Sequence, residues 1–179
     1  MKKILIVDDE VKFGEVVKLN LESTGNYTVQ AVSEPKTCLA AMRTFKPDVI
    51  LLDILMPEIW GYDIAGAMMD DPHLRLTPVI FVSALVKQGQ KEIYGGLIRN
   101  RPFYAQPTVS KPVKTAQLIQ AIESSLIRKE LFLKDPTCQK CKNAIDHIND
   151  AEVDQQDPET PKLIHPNCDR AWRDANVRE

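Results

Sequence analysis

The chain has 179 residues, of which 44% are hydrophobic and 27% are charged, and this composition is ordinary for a soluble globular protein. That length is enough for one well-cored domain and a small appendage. The net charge of −2 argues against a nucleic-acid-binding or membrane-binding surface, because such surfaces need clustered lysines and arginines. No apolar run approaches the roughly 18 residues of a membrane span.

The chain begins with an apolar stretch that three acids, Asp8, Asp9 and Glu10, cut short. A signal peptide needs a longer apolar region, so we interpret this stretch as a strand and expect a cytoplasmic protein. In that reducing compartment the four cysteines are expected to be thiols or metal ligands rather than disulfides.

Buried strands alternate with amphipathic helices over the first 133 residues. Residues 4–7 and 49–52 are unbroken aliphatic runs, which are typical of parallel strands buried on both faces. Further strands are predicted over residues 27–31, 78–82 and 108–110, and helices over residues 10–23, 34–45, 62–70, 87–94 and 113–133. Residues 97–106 show no hydrophobic periodicity, so we predict a loop or an extended insertion there. Five alternations predict an α/β protein with a doubly wound parallel sheet and helices on both faces.

The apolar stripe of each helix predicts which side chains face the sheet. Cys38 is expected to be a small buried hydrophobe. The inward-facing residues are predicted to be Val16, Val17 and Leu21 in the first helix, Leu39 and Met42 in the second, and Leu118, Ile119, Ile122, Leu126 and Ile127 in the last.

Polar side chains stand where the predicted strands end. Asp8 and Asp9 follow the first strand, Asp53 the third, Ser83 the fourth and Lys111 the fifth. In a parallel sheet these ends share one edge, where ligands bind. Three clustered carboxylates repel one another unless a cation neutralises them, and oxygen-only ligands suit Mg²⁺.

Asp53 is the candidate for chemistry at this edge. Lys111 and Ser83 are the groups needed to hold the oxygens of a phosphoryl group on the Asp53 carboxylate, which would act as the nucleophile. A phosphohydrolase is disfavoured, because Leu55, two residues past Asp53, supplies no second carboxylate as general acid. The alternative is a doubly wound sheet with chance acids at its edge, in which Asp53 only caps a loop.

These motifs together resemble the receiver domains of two-component response regulators. The match covers about residues 1–133 and consists of Asp8-Asp9, Asp53 followed by Met56-Pro57 and Gly61, Ser83-Ala84, and Lys111-Pro112. The resemblance implies a five-stranded flavodoxin-like sheet with strand order 2-1-3-4-5.

The resemblance also implies a function and a role for each residue of the site. A sensor histidine kinase or a phosphotransfer protein would phosphorylate Asp53, in a signalling protein that is not otherwise an enzyme. Ser83 bonds to the phosphoryl group, and Lys111 pairs with it.

The same resemblance implies a magnesium site. Asp9, Asp53 and the backbone carbonyl of Leu55 bind Mg²⁺, and Asp8 assists through a water molecule.

Two departures from the family pattern concern how a change at the site would be coupled to the distal face of the domain. The spacing between Ser83 and Lys111 is several residues longer than usual, with the extra length in or near residues 97–106. Thr108 stands three residues before the lysine, where the family has its switch aromatic, and Phe103 and Tyr104 are out of register. We therefore expect a remodelled distal face. A rival interpretation is a pseudo-receiver, an interaction scaffold that keeps the pocket without switching.

Residues 134–179 carry the spacing of a zinc site. Cys138-x2-Cys141 is followed, after 23 residues, by His165-x2-Cys168, which fits tetrahedral Zn²⁺ with three thiolates and one imidazole. The arrangement resembles a treble-clef or LIM-like zinc knuckle, and a segment with so little apolar content needs such a structural metal. The alternatives are a disordered tail with incidental cysteines, a redox CxxC pair, and His147 as ligand in place of His165.

The zinc module is expected to mediate protein interaction or homodimerisation. DNA binding is disfavoured, because residues 134–179 contain ten acids against seven lysines and arginines.

Overall fold

The computed structural model describes residues 1–84, 97–98, 101–102, 108–137, 152–153 and 161–164. The strands are β1 (Lys2–Val7), β2 (Tyr27–Val32), β3 (Val49–Leu52), β4 (Val79–Ser83), β5 (Leu97–Ile98), β6 (Arg101–Pro102), β7 (Thr108–Ser110), β8 (Glu152–Val153) and β9 (Leu163–Ile164). The α-helices are α1 (Val11–Glu22), α2 (Cys38–Phe45), α3 (Gly61–Asp70) and α4 (Thr115–Lys134), and a 3-10 turn, Pro35–Thr37, precedes α2.

The main sheet is parallel, with the strand order β2-β1-β3-β4-β7. Since β7 is the fifth strand of this sheet, the predicted order 2-1-3-4-5 is confirmed. The register is in phase, because Val7 pairs with Leu52 and Leu52 pairs with Phe81. The carboxyl ends of the central strands therefore lie at one edge, as the doubly wound topology requires.

Helices cover both faces of the sheet and give the molecule two apolar clusters. One face packs strand residues such as Leu52 and Phe81 against Met42 of α2 and Ile64 of α3. The opposite cluster contains Ile6, Leu51 and Val82 of the strands, Val17 and Leu21 of α1, and Leu118 and Ile122 of α4. Successive strand residues alternate between these clusters, which explains why the central strands are apolar throughout.

The prediction that Val16 and Ile127 face the sheet is wrong. Val16 is 57% exposed and Ile127 is 42% exposed. Each helical residue turns the chain by about 100°, so Val16 lies well away from the stripe that Val17 and Leu21 form at a spacing of four. Ile127 comes five residues after the buried Ile122, which places it about 140° round the helix.

The other predicted core positions are confirmed. Cys38 and Met42 are buried, and burial raises the pKa of the Cys38 thiol to about 11. The remaining inward-facing residues pack against the two clusters as half-buried side chains, namely Leu39, Ile119 and Leu126.

The insertion before β7 contains paired backbone. Residues of β5 and β6 form a two-stranded antiparallel hairpin, in which Leu97 pairs with Pro102 and Ile98 with Arg101. This agrees with the expected extended insertion. The helix predicted over residues 87–94 lies outside the described residues, as do Phe103 and Tyr104.

Beyond α4 the structure describes a second short hairpin. Its strands β8 and β9 are antiparallel and lie against α4, and Leu163 is buried there. The four predicted zinc ligands, Cys138, Cys141, His165 and Cys168, lie outside the described residues, as does the alternative ligand His147. Within the ranges that the structure covers, no helix is both long enough and apolar enough for a membrane span.

Asp71 ties the end of α3 to α2. Its Oδ1 accepts a hydrogen bond from the backbone N–H of His73 at 2.8 Å, and its Oδ2 accepts from Arg43 Nε at 2.8 Å. The His73 N–H and the Arg43 guanidinium hold the pKa of Asp71 below its ordinary value of 3.8.

The folded-state pKa of Asp71 is depressed, so its contribution to stability is present above pH 3.8 and is lost as the pH falls through the lower, folded-state value. Asp71→Asn should therefore lower the melting temperature at neutral pH, and this difference should narrow as the pH falls below about 4. Thermal unfolding followed by circular dichroism measures both. Glu15→Gln, at an exposed position of α1, is the control and should change little. A difference that is constant with pH would contradict the assignment.

Candidate functional site

Asp53 lies directly after β3 and is buried, with 6% of its surface exposed. Its backbone N–H donates to the Val7 carbonyl at 2.9 Å, so the hydrogen-bond ladder of the sheet continues to this residue. Its Oδ1 accepts a hydrogen bond from the Ile54 N–H at 2.6 Å, and its Oδ2 faces the Lys111 ammonium at 2.8 Å. The two carboxylate oxygens therefore have different partners, which fixes the orientation of the group.

Asp8 and Asp9 follow β1 at the same edge of the sheet. Asp8 is buried, its N–H donates to the Val32 carbonyl at 3.1 Å, and its Oδ1 accepts from the Glu10 N–H at 3.0 Å. Asp9 is exposed. Each of Asp8, Asp9 and Asp53 has a carboxylate oxygen within 4.8 Å of those of the other two. The predicted cluster of three acids is therefore formed.

Lys111 joins this cluster from the end of β7. Its backbone N–H donates to the Ser83 carbonyl at 3.1 Å, which anchors it beside β4. Its Nζ lies 2.6 Å from Asp8 Oδ2 and 2.8 Å from Asp53 Oδ2, with 15% of the side chain exposed. The ammonium thus bridges two buried carboxylates.

Burial and charge oppose each other in this cluster. Burial raises the pKa of Asp8, and it outweighs the hydrogen bond and charge of Lys111, which act in the opposite direction. Burial lowers the pKa of Lys111, but the hydrogen bonds and charges of Asp53 and Asp8 outweigh it, so the net shift is upward. With all groups ionised, three carboxylates and one ammonium leave a charge of −2. A divalent cation would neutralise it, and the oxygen-only donor set fits Mg²⁺.

Ser83, Thr108 and Leu55 are the other positions that the sequence singles out in connection with this site. Ser83 is the last residue of β4 and is buried. Thr108 begins β7, pairs with Phe81 and is half-buried. Leu55 has a 43% exposed side chain and forms an antiparallel bridge with Trp60, which closes the loop between β3 and α3.

Gly61, at the end of that loop, packs against the backbone of Asp53. A Cβ at this position would lie 2.1 Å from the Asp53 carbonyl oxygen, closer than any real contact. The Gly61 N–H also donates to the Ile54 carbonyl at 2.9 Å. In the sequence, Gly61 is recognised only as part of the motif that follows Asp53, whereas the structure shows that its missing side chain makes room for the Asp53 backbone.

Sequence reasoning misses one residue of the site, Phe13 of α1. The Lys111 Nζ lies 4.4 Å from the centroid of the Phe13 ring, within the range of a cation–π contact. The available signal is its spacing, because Phe13, Val17 and Leu21 recur every four residues on the sheet-facing stripe.

An acidic cluster of this kind, on a sheet of this order, is what the sequence motifs lead us to expect of a receiver. Residues 4–123 match the family model of the response regulator receiver domain. The chain belongs to this family. It is 31% identical over 125 residues to the polar-differentiation response regulator DivK of Brucella ovis, across 70% of this chain and 96% of DivK. DivK of Brucella anthropi is 30% identical over the same shares of the two chains.

Solved receiver structures share the fold. The receiver domain of a signal transduction histidine kinase from Syntrophus aciditrophicus has a TM-score of 0.57 at 28% identity, covering 71% of this chain and 91% of that one. The chemotaxis protein CheY4 of Vibrio cholerae has a TM-score of 0.58 at 23% identity, covering 69% of this chain and 97% of CheY4. The match to CheY4 shows a common fold. All these alignments leave a little under a third of this receiver protein unmatched.

The contact at Gly61 predicts that any side chain displaces the Asp53 backbone. Gly61→Ala should destabilise the fold by about 2 kcal/mol, because overpacking against the main chain cannot relax through a rotamer change. Urea unfolding measures the free energy. Gly14→Ala in α1 is the matched control, since its Cβ would lie 3.3 Å from the Ala31 side chain, a tight contact that is offset by a better helix propensity. Equal stability of the two variants would contradict the assigned constraint.

Proposed function

We propose that the protein is a phosphoacceptor response regulator, in which a sensor histidine kinase or a phosphotransfer protein phosphorylates Asp53. One observation carries this proposal. The Asp53 carboxylate is held 2.8 Å from the Lys111 ammonium, beside the further carboxylates of Asp8 and Asp9, at the carboxyl edge of the sheet. The pairing with Lys111 fixes the orientation of the Asp53 carboxylate, whose oxygen would act as the nucleophile.

The transfer has a simple balance of bonds. An Asp53 carboxylate oxygen attacks the phosphorus of a phosphohistidine, an O–P bond forms, and the N–P bond of the donor breaks. The bonding pair stays on the imidazole nitrogen, which takes a proton from solvent. Lys111 stabilises the negative charge on the phosphoryl oxygens, and the Ser83 hydroxyl bonds to one of them, so positioning and charge do most of the work.

Mg²⁺ fits the same site. Asp8, Asp9, Asp53 and the backbone carbonyl of Leu55 would hold it, directly or through water. When bound, it supplies positive charge that screens the phosphoryl oxygens from the acids.

A second candidate is the pseudo-receiver, a scaffold that keeps the pocket but does not switch. It is favoured by Thr108 at the start of β7, where the family has an aromatic residue, and by the β5–β6 hairpin inserted before it. The two candidates differ in whether phosphorylation changes the shape or association state of the protein.

Incubation with Mg²⁺ and a small acyl phosphate should add the mass of one phosphoryl group to the wild-type protein and none to Asp53→Asn. Asp48→Asn is the matched control, because it removes an acid from the opposite end of the same strand and should leave labelling intact. Intact mass spectrometry measures the label, and size-exclusion chromatography measures association. Labelling of Asp53→Asn would overturn the proposal, and labelling without any change in shape or oligomer would favour the scaffold.

We also propose that Cys138, Cys141, His165 and Cys168 bind a structural Zn²⁺, in a module spanning residues 134–179 that serves protein interaction or homodimerisation. The support is the paired ligand spacing and the acidic composition of the segment. The same composition supports the absence of a DNA partner. We propose a cytoplasmic location, no membrane partner, and no turnover beyond autophosphorylation and autodephosphorylation.

Metal analysis of the purified protein should find about one zinc per chain. Cys141→Ser should lose most of it, because three ligands bind far less tightly than four. Cys38→Ala is the control, since this buried cysteine belongs to α2 and its raised thiol pKa disfavours metal binding. A protein free of zinc after expression in zinc-supplemented medium would refute the module.

A further inference from the structure

The Phe13 ring is the third partner of the Lys111 ammonium. Two carboxylate oxygens lie 2.6 Å and 2.8 Å from Nζ, and the ring centroid lies 4.4 Å away. We propose that Phe13 is a positioning residue, which holds the Lys111 ammonium at Asp53 and thereby sets how fast the site accepts a phosphoryl group. The inference rests on the proposed phosphoacceptor function and adds a residue outside the set of site residues assigned from the sequence.

Helix α1 fixes the ring in place. The helix begins at Val11, two residues after Asp9, so its first turn stands at the edge of the site. Val17 is 6% exposed and Leu21 is fully buried, and both pack on the sheet. Phe13 is the next member of the same stripe towards the helix start, and it packs half-buried against the same cluster. Its position is therefore set by the core and not by the ammonium.

The Phe13 ring stabilises the Lys111 ammonium in a different way from the carboxylates of Asp8 and Asp53. Lysine carries its charge on a flexible four-carbon stem, so the ammonium can move between acceptors. The negative face of the ring attracts the cation without adding a formal charge to a site that already has an excess of carboxylates. The ring also shields one side of Nζ from water. A leucine at this position would fill similar space but would lack the attractive face.

The first experiment measures the rate of phosphorylation from a small acyl phosphate with saturating Mg²⁺. Phe13→Leu should slow labelling by about 3- to 10-fold, and Phe13→Tyr, which keeps the aromatic face, should stay within about twofold of wild type. Val17→Ala is the matched control, since it removes side-chain volume from the same apolar stripe of α1 and leaves the partners of Lys111 in place. Equal slowing by Val17→Ala and Phe13→Leu would mean that the ring only supports the fold, and would overturn the proposal.

The second experiment needs no phosphoryl transfer. In the unphosphorylated protein with isotope-labelled lysine, the Lys111 methylene protons next to Nζ should be shifted upfield by the ring current. Phe13→Tyr should keep this shift and Phe13→Leu should abolish it. Ordinary lysine shifts in the wild-type protein would overturn the positioning role.

The two experiments separate the inference from the proposed function. If the wild-type protein accepts no phosphoryl group while the ring-current shift is present, the phosphoacceptor function and the effect on its rate are both refuted, and only the static contact stands. If labelling is normal and the shift is absent, the proposed function stands and the positioning role of Phe13 falls.

Discussion

The Lys111 ammonium lies between the carboxylates of Asp8 and Asp53 at the edge of the sheet and bridges them. The Glu10 N–H donates to Asp8 Oδ1 and the Ile54 N–H donates to Asp53 Oδ1, and these bonds favour an orientation that keeps the two mutually repelling carboxylates close together. A single ammonium within 3 Å of both offsets part of that repulsion, and when the third acid, Asp9, is counted, an excess charge of −2 remains. The Lys111 contact therefore lowers the electrostatic cost of placing Asp8 and Asp53 together. The negative charge that remains favours the binding of a divalent cation.

The sequence predicts the fold and this cluster well for a physical reason. Unbroken aliphatic runs such as Val49–Leu52 indicate strands buried on both faces, and in-phase parallel strands bring the residues that follow them to one edge. The predictions that failed depend on distances and angles, which the amino-acid sequence alone does not specify. Val16 is apolar but about 100° off the buried stripe. Gly61 looks like any turn glycine until the Asp53 carbonyl is seen against it.

The region between β4 and β7 shows a different limit. Strands of two residues carry no periodicity, so the pairing of Leu97–Ile98 with Arg101–Pro102 cannot be predicted from the pattern of apolar residues. The sequence indicates only that extra chain is inserted there and that Thr108 stands where the family resemblance implies an aromatic residue. The proposed chemistry of Asp53 depends on the residues around it, whereas any signal passing through this face would depend on packing particular to this chain.

Helix α4 contacts both the main sheet and the paired strands β8 and β9. It begins four residues after Lys111, runs for 20 residues, or about 30 Å, and carries the β8–β9 hairpin on its surface. A helix of this length bends little, so a tilt of ~3° at its first turn would displace the other end by roughly 1.5 Å. A tilt at the first turn of α4 would therefore be carried to the β8–β9 pair by a route that does not include Thr108.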